Sequence, residues 1–317
     1  SNINYNIRKK QVQYKAGLGL VKNWKKFVSG GFRLTAADRC GMLKKTEVER
    51  NTAMKYPYLY CDIDGTLADK SVISQENVAA LAKYRQAGGK LGLATGRVEL
   101  ITESYAKQLA VDLPCILYNG AAVYDFSRHT FLHTETVDTA DVLAMMELGM
   151  GVYPQVSVEI CPGGPTVLAN PNGVEDEFIT REQQPFVYGR AEDCERIIKL
   201  MFYGEPQRLK QVEAAILPAF GEKYRILFSQ PVYLEVLPKA AGKESALAWI
   251  SQNLHLPLEQ ICAMGDFDND VGMIQLAGLG AAPADAPERV IEKADFISDA
   301  HDCHAAVRLV EYLLSLK

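Results

Sequence analysis

Two separated stretches of the chain alternate short apolar runs with longer segments in which apolar residues recur every three or four positions. The short runs have the length of buried strands, and the longer segments have helical spacing. Strand–helix–strand units in this order predict an α/β fold on a doubly wound parallel sheet. The predicted strands are Tyr58–Cys61, Lys90–Ala94, Pro114–Tyr118, Ile261–Met264, Leu279–Ala282 and Asp295–Ser298. The predicted helices are one beginning at Ser74, then Val98–Leu109, Lys243–His255, Asp270–Ala277, Ala286–Ala294 and Ala305–Leu314.

The pattern changes between about residues 130 and 237, where strand candidates come in pairs around two helical segments. The strand candidates are Val156–Ile160, Thr166–Ala169, Ile197–Tyr203, Tyr224–Phe228 and Val232–Val236, and the helices are Thr139–Met150 and Glu205–Phe220. An α+β pattern inside an α/β chain predicts an inserted domain. The predicted organisation is an N-terminal extension at 1–53, a core domain formed by 54–129 and 238–317, and an inserted domain at 130–237.

Residues 1–53 differ in charge from the rest of the chain. They carry 12 Lys and Arg against 3 Asp and Glu, the remaining residues carry 22 against 36, and the net charge is −5. The favoured interpretation of 1–53 is a loosely ordered extension. The alternatives are a basic arm for an acidic surface, membrane or nucleic acid, and an organelle transit segment. The acidic remainder is, by its charge, a poor nucleic-acid binder.

Composition narrows the class of protein further. The chain is 48% hydrophobic and 23% charged, which is typical of a globular protein. No apolar run approaches the roughly 18 residues of a membrane span, and no segment has the apolar centre of a secretory signal. The seven cysteines include no Cys-x-x-Cys pair, so neither a zinc site nor a disulfide framework is indicated. We therefore expect a cytoplasmic protein without a membrane partner.

The first candidate for chemistry is the pair Asp62 and Asp64, which directly follows a predicted strand and precedes Gly65. Two carboxylates this close repel each other unless a positive charge lies between them. A hard divalent cation such as Mg²⁺ prefers oxygen ligands. One carboxylate can then act as a nucleophile while its neighbour moves a proton. An Asp-rich turn is the alternative for this pair alone.

Three further stretches complete the set: Thr95-Gly96-Arg97 and Gly265-Asp266 each follow a predicted strand, and Lys243 begins a helix. Ligands of an open parallel sheet bind beyond the carboxyl ends of its strands, so these side chains can converge. Taken singly, each has another explanation. Thr95 could cap a helix, Lys243 could be a solvated lysine, and the Asp266 loop could be a turn or a calcium-type loop.

Phosphoryl transfer is the chemistry that needs this combination, because it requires an in-line nucleophile, a metal and donors for the phosphoryl oxygens. Asp62 supplies the nucleophile, and Asp64 can protonate the leaving oxygen and then activate water. Thr95 offers a hydroxyl and Lys243 a point charge. Asp266 and Asp270 add oxygens for the metal. In combination and in this order, the four stretches favour catalysis over the separate alternatives.

These residues resemble the four motifs of the haloacid dehalogenase-like superfamily. The segments that carry the resemblance are Asp62–Leu67, Thr95–Arg97, Lys243, and Gly265-Asp266 with Asn269-Asp270. Tyr118–Ala121 and the position of the insert resemble the Cof-type branch, subclass IIB. The resemblance covers roughly residues 55–317 and implies a Rossmann-like core with an inserted α+β cap domain.

The resemblance also implies a Mg²⁺-dependent phosphatase that works through an aspartyl-phosphate. In this family's pattern Asp62 attacks phosphorus and Asp64 is the general acid and base. The pattern assigns phosphate binding to Thr95, Gly96, Lys243 and Asn269, with Asn269 facing the phosphate or orienting Lys243. It assigns metal binding to Asp62, the backbone carbonyl of Asp64, Asp266 and Asp270. Asp64 favours phosphatase over dehalogenase, because dehalogenation needs no proton for its leaving group.

Two regions depart from the pattern or lie beyond it. Ala281–Ala286 contains Pro283 and Asp285, where this branch usually reads Met-Gly-Asn-Ala. In the insert, Glu159, Arg181 and Tyr188 are candidate polar contacts, although a solvated face is the favoured interpretation. Its modest aromatic content suits small polar phosphates such as sugar phosphates.

Three functions follow from this reasoning. The leading one is hydrolysis of small phosphorylated metabolites. The alternatives are a phosphomutase of the same fold and a non-catalytic regulatory protein that binds a phosphorylated ligand. The amino-acid sequence leaves the physiological substrate and the oligomeric state open.

Overall fold

The computed structural model describes residues 54–170, 173–174, 176, 179 and 184–316. The predictions for the basic extension at 1–53 and for Arg181 lie outside the described residues.

The described elements follow the predicted order closely. The strands are β1 (Tyr58–Cys61), β2 (Ala68–Asp69), β3 (Val72–Ile73), β4 (Lys90–Leu93), β5 (Cys115–Leu117), β6 (Ala122–Asp125), β7 (Thr130–Thr134), β8 (Ser157–Cys161), β9 (Thr166–Leu168), β10 (Phe186–Tyr188), β11 (Lys199–Tyr203), β12 (Tyr224–Gln230), β13 (Tyr233–Pro238), β14 (Ile261–Met264), β15 (Leu279–Ala282) and β16 (Phe296–Ile297). The helices are α1 (Gln75–Gln86), α2 (Glu99–Leu109), α3 (Thr139–Val152), α4 (Pro206–Phe220), α5 (Lys243–Leu254), α6 (Val271–Leu276), α7 (Glu288–Ile291) and α8 (Ala305–Ser315).

A five-stranded sheet in the order β16-β15-β14-β1-β4 forms the core, and all its neighbouring strands are parallel. Side chains of a strand point alternately to the two faces of its sheet. Leu59 and Cys61 of β1 accordingly pack in the cluster that includes α1 and α8, whereas Tyr60 packs with Leu247 and Ile250 of α5. Helices therefore cover both faces, which confirms the doubly wound α/β core.

A second sheet of six strands, in the order β10-β9-β8-β11-β13-β12, is mixed in direction. Its strands β8, β11 and β13 direct apolar residues such as Ile160, Phe202 and Val236 toward α3 and α4. The alternate residues, including Lys199 and Glu235, lie on the opposite face. The inserted α+β region is therefore confirmed, and its polar face becomes important for the site.

Asn-Gly is a dipeptide typical of tight hairpin turns, and β5 and β6 pair antiparallel on either side of Asn119-Gly120. Strand β7 pairs with β6, so residues 130–134 extend this hairpin into a three-stranded sheet. Ala94 also bridges in parallel to Ile116, beside the core sheet. The domain bounds at 129/130 and 237/238 stay a prediction.

The turn after β5 has an unusual backbone, because Tyr118, Asn119 and Gly120 have φ values of 54°, 54° and 92°. A Cβ atom on Gly120 would lie 2.0 Å from the carbonyl oxygen of Gly242. This close approach of two backbones brings Asn119 toward the start of α5. Only glycine fits such a position.

We expect Gly120→Ala to lower the free energy of unfolding by at least about 3 kcal/mol, because strain and a backbone clash add together. Gly88→Ala is the matched control. Gly88 also has a positive φ, of 100°, but a Cβ there would meet nothing within 4 Å. Gly88→Ala should lower the free energy of unfolding by about 1–2 kcal/mol, from the unfavourable backbone conformation alone. Urea unfolding of both variants measures the difference, and equal losses would contradict the explanation.

Candidate active site

The carboxyl ends of three neighbouring core strands supply the candidate site. Asp62 follows β1, and its backbone N–H donates to the carbonyl of Met264 at the end of β14 (2.9 Å). Thr95 follows β4 after Ala94, and Asp266 follows β14 after Gly265. The parallel register sets Cys61 beside both Leu93 and Met264, so the three loops leave the sheet side by side. The loops after β1, β4 and β14 therefore lie next to one another, as predicted.

Lys243, in the first turn of α5, is the central cation of the site. Its Nζ donates to Asp62 Oδ1 (2.7 Å) and to Asp270 Oδ1 (2.6 Å), and its side chain is fully buried. Burial alone would lower the pKa of Lys243, but the carboxylates of Asp270 and Asp62 outweigh it and raise the pKa. Lys243 is therefore a permanently charged, buried partner of two carboxylates and not a solvated lysine.

Asp62 and Asp266 hold their protons more tightly than ordinary aspartates. Burial raises the pKa of Asp62, Lys243 opposes that effect, and the carboxylates of Asp270 and Asp266 add to it. Burial likewise raises the pKa of Asp266 to about 6, against a lowering effect from the hydrogen bond that Thr66 donates (2.7 Å). The single positive charge of Lys243 does not balance the carboxylates of Asp62, Asp266 and Asp270 when all three are ionised, so the group then has an excess of negative charge.

That excess is what a bound cation would neutralise. Carboxylate oxygens of Asp62, Asp266 and Asp270 lie within 4.8 Å of one another, and oxygen ligands suit a hard divalent ion. Both oxygens of Asp270 have other partners as well: Oδ1 accepts from Lys243, and Oδ2 accepts from the backbone N–H groups of Asp266 and Phe267. The donor set therefore fits Mg²⁺. Asp62 and Asp266 each accept fewer hydrogen bonds than Asp270 and so have more oxygen lone pairs available for a metal.

The elevated pKa values predict that stabilisation by Mg²⁺ depends on pH. Asp62 and Asp266 keep protons to a higher pH when folded than when unfolded. In the metal-free protein Asp266 therefore lowers the free energy of unfolding as the pH rises from about 4 to about 6, and the raised pKa of Asp62 acts in the same direction. A metal binds only the deprotonated carboxylates. We expect Mg²⁺ to raise the unfolding temperature more at about pH 7.5 than at about pH 5.

Thermal unfolding with and without Mg²⁺ at the two pH values measures this effect. Asp266→Asn should remove most of the Mg²⁺-dependent shift at the higher pH. An equal shift at both pH values would show that the buried carboxyls are not the ligands.

Asp64 occupies a different position from the other carboxylates. Its side chain is half exposed, and Arg97 holds it by two parallel bonds, Nε to Oδ2 and Nη2 to Oδ1, both 2.7 Å. The Arg97 guanidinium also lies 5.1 Å from the centre of the Tyr105 ring. The Asp64 side chain is therefore not part of the cluster of Asp62, Asp266 and Asp270.

The loop after β4 is arranged around Thr95. Its hydroxyl oxygen accepts from the backbone N–H of Arg97 (3.2 Å), and the residue is buried. Helix α2 begins at Glu99 after Val98, with no side-chain cap, so Thr95 does not cap a helix. A Cβ atom on Gly96 would lie 2.8 Å from Oδ1 of Asn119, so only glycine lets the two loops meet this closely.

Asn269 and Asn119 join two of these loops. Asn269 Nδ2 donates to Asn119 Oδ1 (3.0 Å), and among the described contacts Asn269 makes none with Lys243. Asn119 Nδ2 in turn donates to Glu235 Oε2 on β13 (3.1 Å). Asn119 and Glu235 were not among the predicted site residues. The dipeptide Asn119-Gly120 indicated a turn, and that turn is what directs the side chain into the site.

A cavity of about 720 Å³ lies above these loops, between the core sheet and the inserted sheet. Its floor includes Asp62, Thr95 and Lys243. The inserted sheet contributes residues of β11, β12 and β13, namely Met201, Arg225, Leu227, Phe228, Ser229, Gln230, Tyr233, Glu235 and Leu237. The candidate contacts Glu159 and Tyr188 do not line it: Glu159 is buried in the sheet, and Tyr188 is 73% exposed.

The segment Ala281–Ala286, which differs from the usual sequence of this branch, contacts the site through His301. The backbone N–H of His301 donates to Asp285 Oδ1 (2.9 Å), and its ring nitrogen Nδ1 bonds to Asp285 Oδ2. His301 lines the cavity. Asp285 therefore fixes one side of the cavity entrance.

Residues 59–309 match the family of haloacid dehalogenase-like hydrolases. This match covers well over half of the chain. The chain belongs to the haloacid dehalogenase-like hydrolases. Its assignment to the Cof-type branch, subclass IIB, is confirmed, and it is an enzyme of the phosphatase type.

Curated relatives of this haloacid dehalogenase-like hydrolase are phosphatases. It is 27% identical over 280 residues to a 5-amino-6-(5-phospho-D-ribitylamino)uracil phosphatase of Bacillus subtilis, covering 80% of this chain and 96% of the relative. It is also 27% identical over 243 residues to an HMP-PP phosphatase of Citrobacter koseri, covering 76% and 89%. The match therefore extends over nearly the full length of both enzymes.

Solved structures support the fold of this haloacid dehalogenase-like hydrolase. A haloacid dehalogenase-like hydrolase from Bacteroides thetaiotaomicron aligns with a TM-score of 0.75 at 24% identity, covering 82% of this chain and all of that one. A subclass IIB sugar phosphatase aligns with a TM-score of 0.66 at 20% identity, covering 82% and 99%. In the described part of the chain, no helix combines the length and apolar character needed to cross a bilayer.

Proposed function

We propose that this hydrolase is a Mg²⁺-dependent phosphatase that cleaves small phosphate monoesters through an aspartyl-phosphate on Asp62. The observation that carries the proposal is the buried Asp62 carboxylate, held by Lys243 beside Asp266 and Asp270 on the floor of the cavity. A nucleophilic carboxylate, a fixed cation and a metal-type donor set are the three requirements of phosphoryl transfer.

Asp62, Asp266 and the backbone carbonyl of Asp64 would hold Mg²⁺, with Asp270 in support. When bound, the ion neutralises negative charge on the carboxylates and on the transferring phosphoryl group. Lys243 holds one oxygen of Asp62, which leaves the other oxygen to point at phosphorus. Thr95, the Gly96 loop and Asn269 supply donors around the phosphoryl oxygens.

The reaction has two displacement steps at phosphorus. An oxygen of Asp62 forms a bond to phosphorus while the bond from phosphorus to the leaving oxygen breaks, and the Asp64 carboxyl gives that oxygen its proton. The Asp64 carboxylate then takes a proton from water, whose oxygen attacks phosphorus. The bond from phosphorus to Asp62 breaks, which releases inorganic phosphate and restores Asp62.

The first step requires a protonated Asp64 near the leaving oxygen. In the structure its carboxylate is ion-paired with Arg97 at the edge of the cavity. Both Asp64 oxygens accept from Arg97, so the Asp64 side chain has to exchange Arg97 for the substrate before it can act. Arg97 thus stabilises the resting position of the general acid.

The size of the cavity and the polar groups of the inserted sheet support a small phosphorylated substrate. A volume of about 720 Å³ accommodates a phosphorylated metabolite, and Arg225, Ser229 and Gln230 offer polar groups opposite the catalytic floor. These properties agree with sugar phosphates or similar metabolites. In this proposal residues 130–237 form the cap, and residues 54–129 with 238–317 form the catalytic core.

Hydrolysis of p-nitrophenyl phosphate, followed by a panel of phosphorylated metabolites, tests the proposal. We expect release of inorganic phosphate that needs Mg²⁺ and stops when EDTA removes it. Product analysis with a sugar bisphosphate separates hydrolysis from transfer to a second hydroxyl, which is the phosphomutase alternative. Binding of phosphorylated ligands without turnover of any of them would instead identify a non-catalytic regulatory protein.

A further inference from the structure

A buried ion pair on the inserted sheet touches the phosphate-binding loops of the core. Lys199 on β11 and Glu235 on β13 lie 3.3 Å apart, and each side chain is 6% exposed. Both residues point away from the apolar cluster of α3 and α4, toward the core. Taking two charges out of water carries a desolvation cost that their attraction alone rarely offsets. The position of such a pair therefore calls for an explanation.

Every oxygen of Glu235 has a partner. Oε1 accepts from Lys199 Nζ (3.3 Å) and from the Ser229 hydroxyl (2.9 Å), and Oε2 accepts from Asn119 Nδ2 (3.1 Å). A carboxylate held by three donors has little capacity left for a substrate hydroxyl. Glu235 borders the cavity, but its contacts belong to the protein.

Two connections run from this pair into the core. Glu235 holds Asn119, whose Oδ1 accepts from Asn269 (3.0 Å). Lys199 Nζ donates to the backbone carbonyl of Gly96 (3.4 Å). Gly96 and Asn269 are two of the four residues of the proposed phosphate site. The ion pair thus contacts the Gly96 loop directly and is linked to Asn269 through Asn119.

The charge on Glu235 also determines the orientation of Asn119. A carboxylate accepts hydrogen bonds only, so it holds the NH₂ end of Asn119 toward β13. The Asn119 oxygen then faces Asn269 and accepts from it. Without the carboxylate, the amide of Asn119 could rotate and present NH₂ to the NH₂ of Asn269. The positive φ of Asn119 and Gly120 limits other adjustments of this turn.

We propose that Glu235 and Lys199 are positioning residues, through which the inserted sheet orients Asn269 and the Gly96 loop for the phosphoryl group. The proposal rests on the phosphatase function proposed above. It assigns the inserted sheet a part in building the phosphate site, in addition to covering the substrate.

Three variants test this role. Glu235→Gln keeps the shape but puts an NH₂ group where Asn119 or Lys199 needs an acceptor. Lys199→Met combined with Glu235→Leu replaces the ion pair by apolar side chains, which commonly preserves stability. Asp141→Asn is the control, because it breaks an exposed ion pair with Lys223 in the same inserted region, away from the cavity.

The measurements are kcat and KM for p-nitrophenyl phosphate, the inhibition constant of inorganic phosphate, and the unfolding temperature, all with Mg²⁺. We expect kcat/KM of Glu235→Gln and of the double variant to fall about 10- to 100-fold, since small misplacements near reacting groups have effects of this size. The inhibition constant of phosphate should rise in parallel. The double variant should unfold within a few degrees of the wild type, and Asp141→Asn should keep the wild-type kcat/KM.

A double-mutant cycle identifies the route of the effect. If Glu235 acts through Asn119, then Glu235→Gln added to Asn119→Ala should reduce kcat/KM little further than Asn119→Ala alone. Fully multiplicative effects would overturn the proposal. So would a double variant with wild-type kcat/KM, which would show that the pair serves stability only. A wild-type protein without Mg²⁺-dependent hydrolysis would refute the phosphatase function instead, a result distinguishable from both.

Discussion

Asp62→Asn is expected to abolish Mg²⁺-dependent hydrolysis of p-nitrophenyl phosphate, with a loss in kcat of at least about 10³-fold. An amide is too weak a nucleophile to form the covalent intermediate, and it is a poorer metal ligand than a carboxylate. The fold should persist, because asparagine has the same shape and its oxygen can still accept from Lys243. Steady-state kinetics and thermal unfolding of the same preparation measure the two effects.

Asp112→Asn provides the control for loss of an aspartate in the core domain. Asp112 forms an ion pair with Arg85 and does not line the cavity, so this variant should keep the wild-type kcat. If Asp62→Asn retained a kcat within tenfold of the wild type, another group would have to be the nucleophile.

Lys243→Met is expected to lower the free energy of unfolding of the metal-free protein by about 3–5 kcal/mol and to eliminate activity. Removing one partner of a buried ion pair leaves uncompensated charge, and here two carboxylates, Asp62 and Asp270, lose the same cation. Their mutual repulsion then acts in a site with little water. Urea unfolding without metal measures the loss of stability.

The pH dependence and a surface control check this explanation. Lower pH should restore part of the stability of Lys243→Met, because protonation removes the uncompensated negative charge. Added Mg²⁺ should also restore part of it by supplying a different cation. Lys210→Met removes an exposed lysine of α4 and should be nearly neutral. A Lys243→Met variant as stable as Lys210→Met at neutral pH would contradict the central role of this ammonium group.

The core and the residues of its candidate site were predictable because their signals are local. Asp62, Thr95 and Asp266 each lie within two residues of the end of a strand, and parallel strands end at a common edge of the sheet. The helix predicted to begin at Ser74 also depends on a local signal, because the Ser74 hydroxyl oxygen accepts from the backbone N–H of Asn77 and caps α1. In each case the residues next to it in the sequence determine where the residue lies.

Residues whose roles depend on contacts between distant segments were not predictable in the same way. Glu235 looks like one polar position in an alternating strand, and only the packing of β13 against the core loops brings it to Asn119. Arg97 was recognised as part of a motif, but its pairing with Asp64 depends on how two loops leave the sheet. Strand β10 has three exposed residues, so it lacks the apolar alternation by which strands are recognised.

A crystal structure of the protein soaked with Mg²⁺ and beryllium fluoride, which mimics a phosphoryl group, tests the central claim most directly. The account predicts beryllium bonded to a carboxylate oxygen of Asp62. It also predicts Mg²⁺ between Asp62 and Asp266, with Lys243 and Thr95 facing the fluorines. Mg²⁺ bound elsewhere, or a beryllium adduct on a different residue, would contradict it.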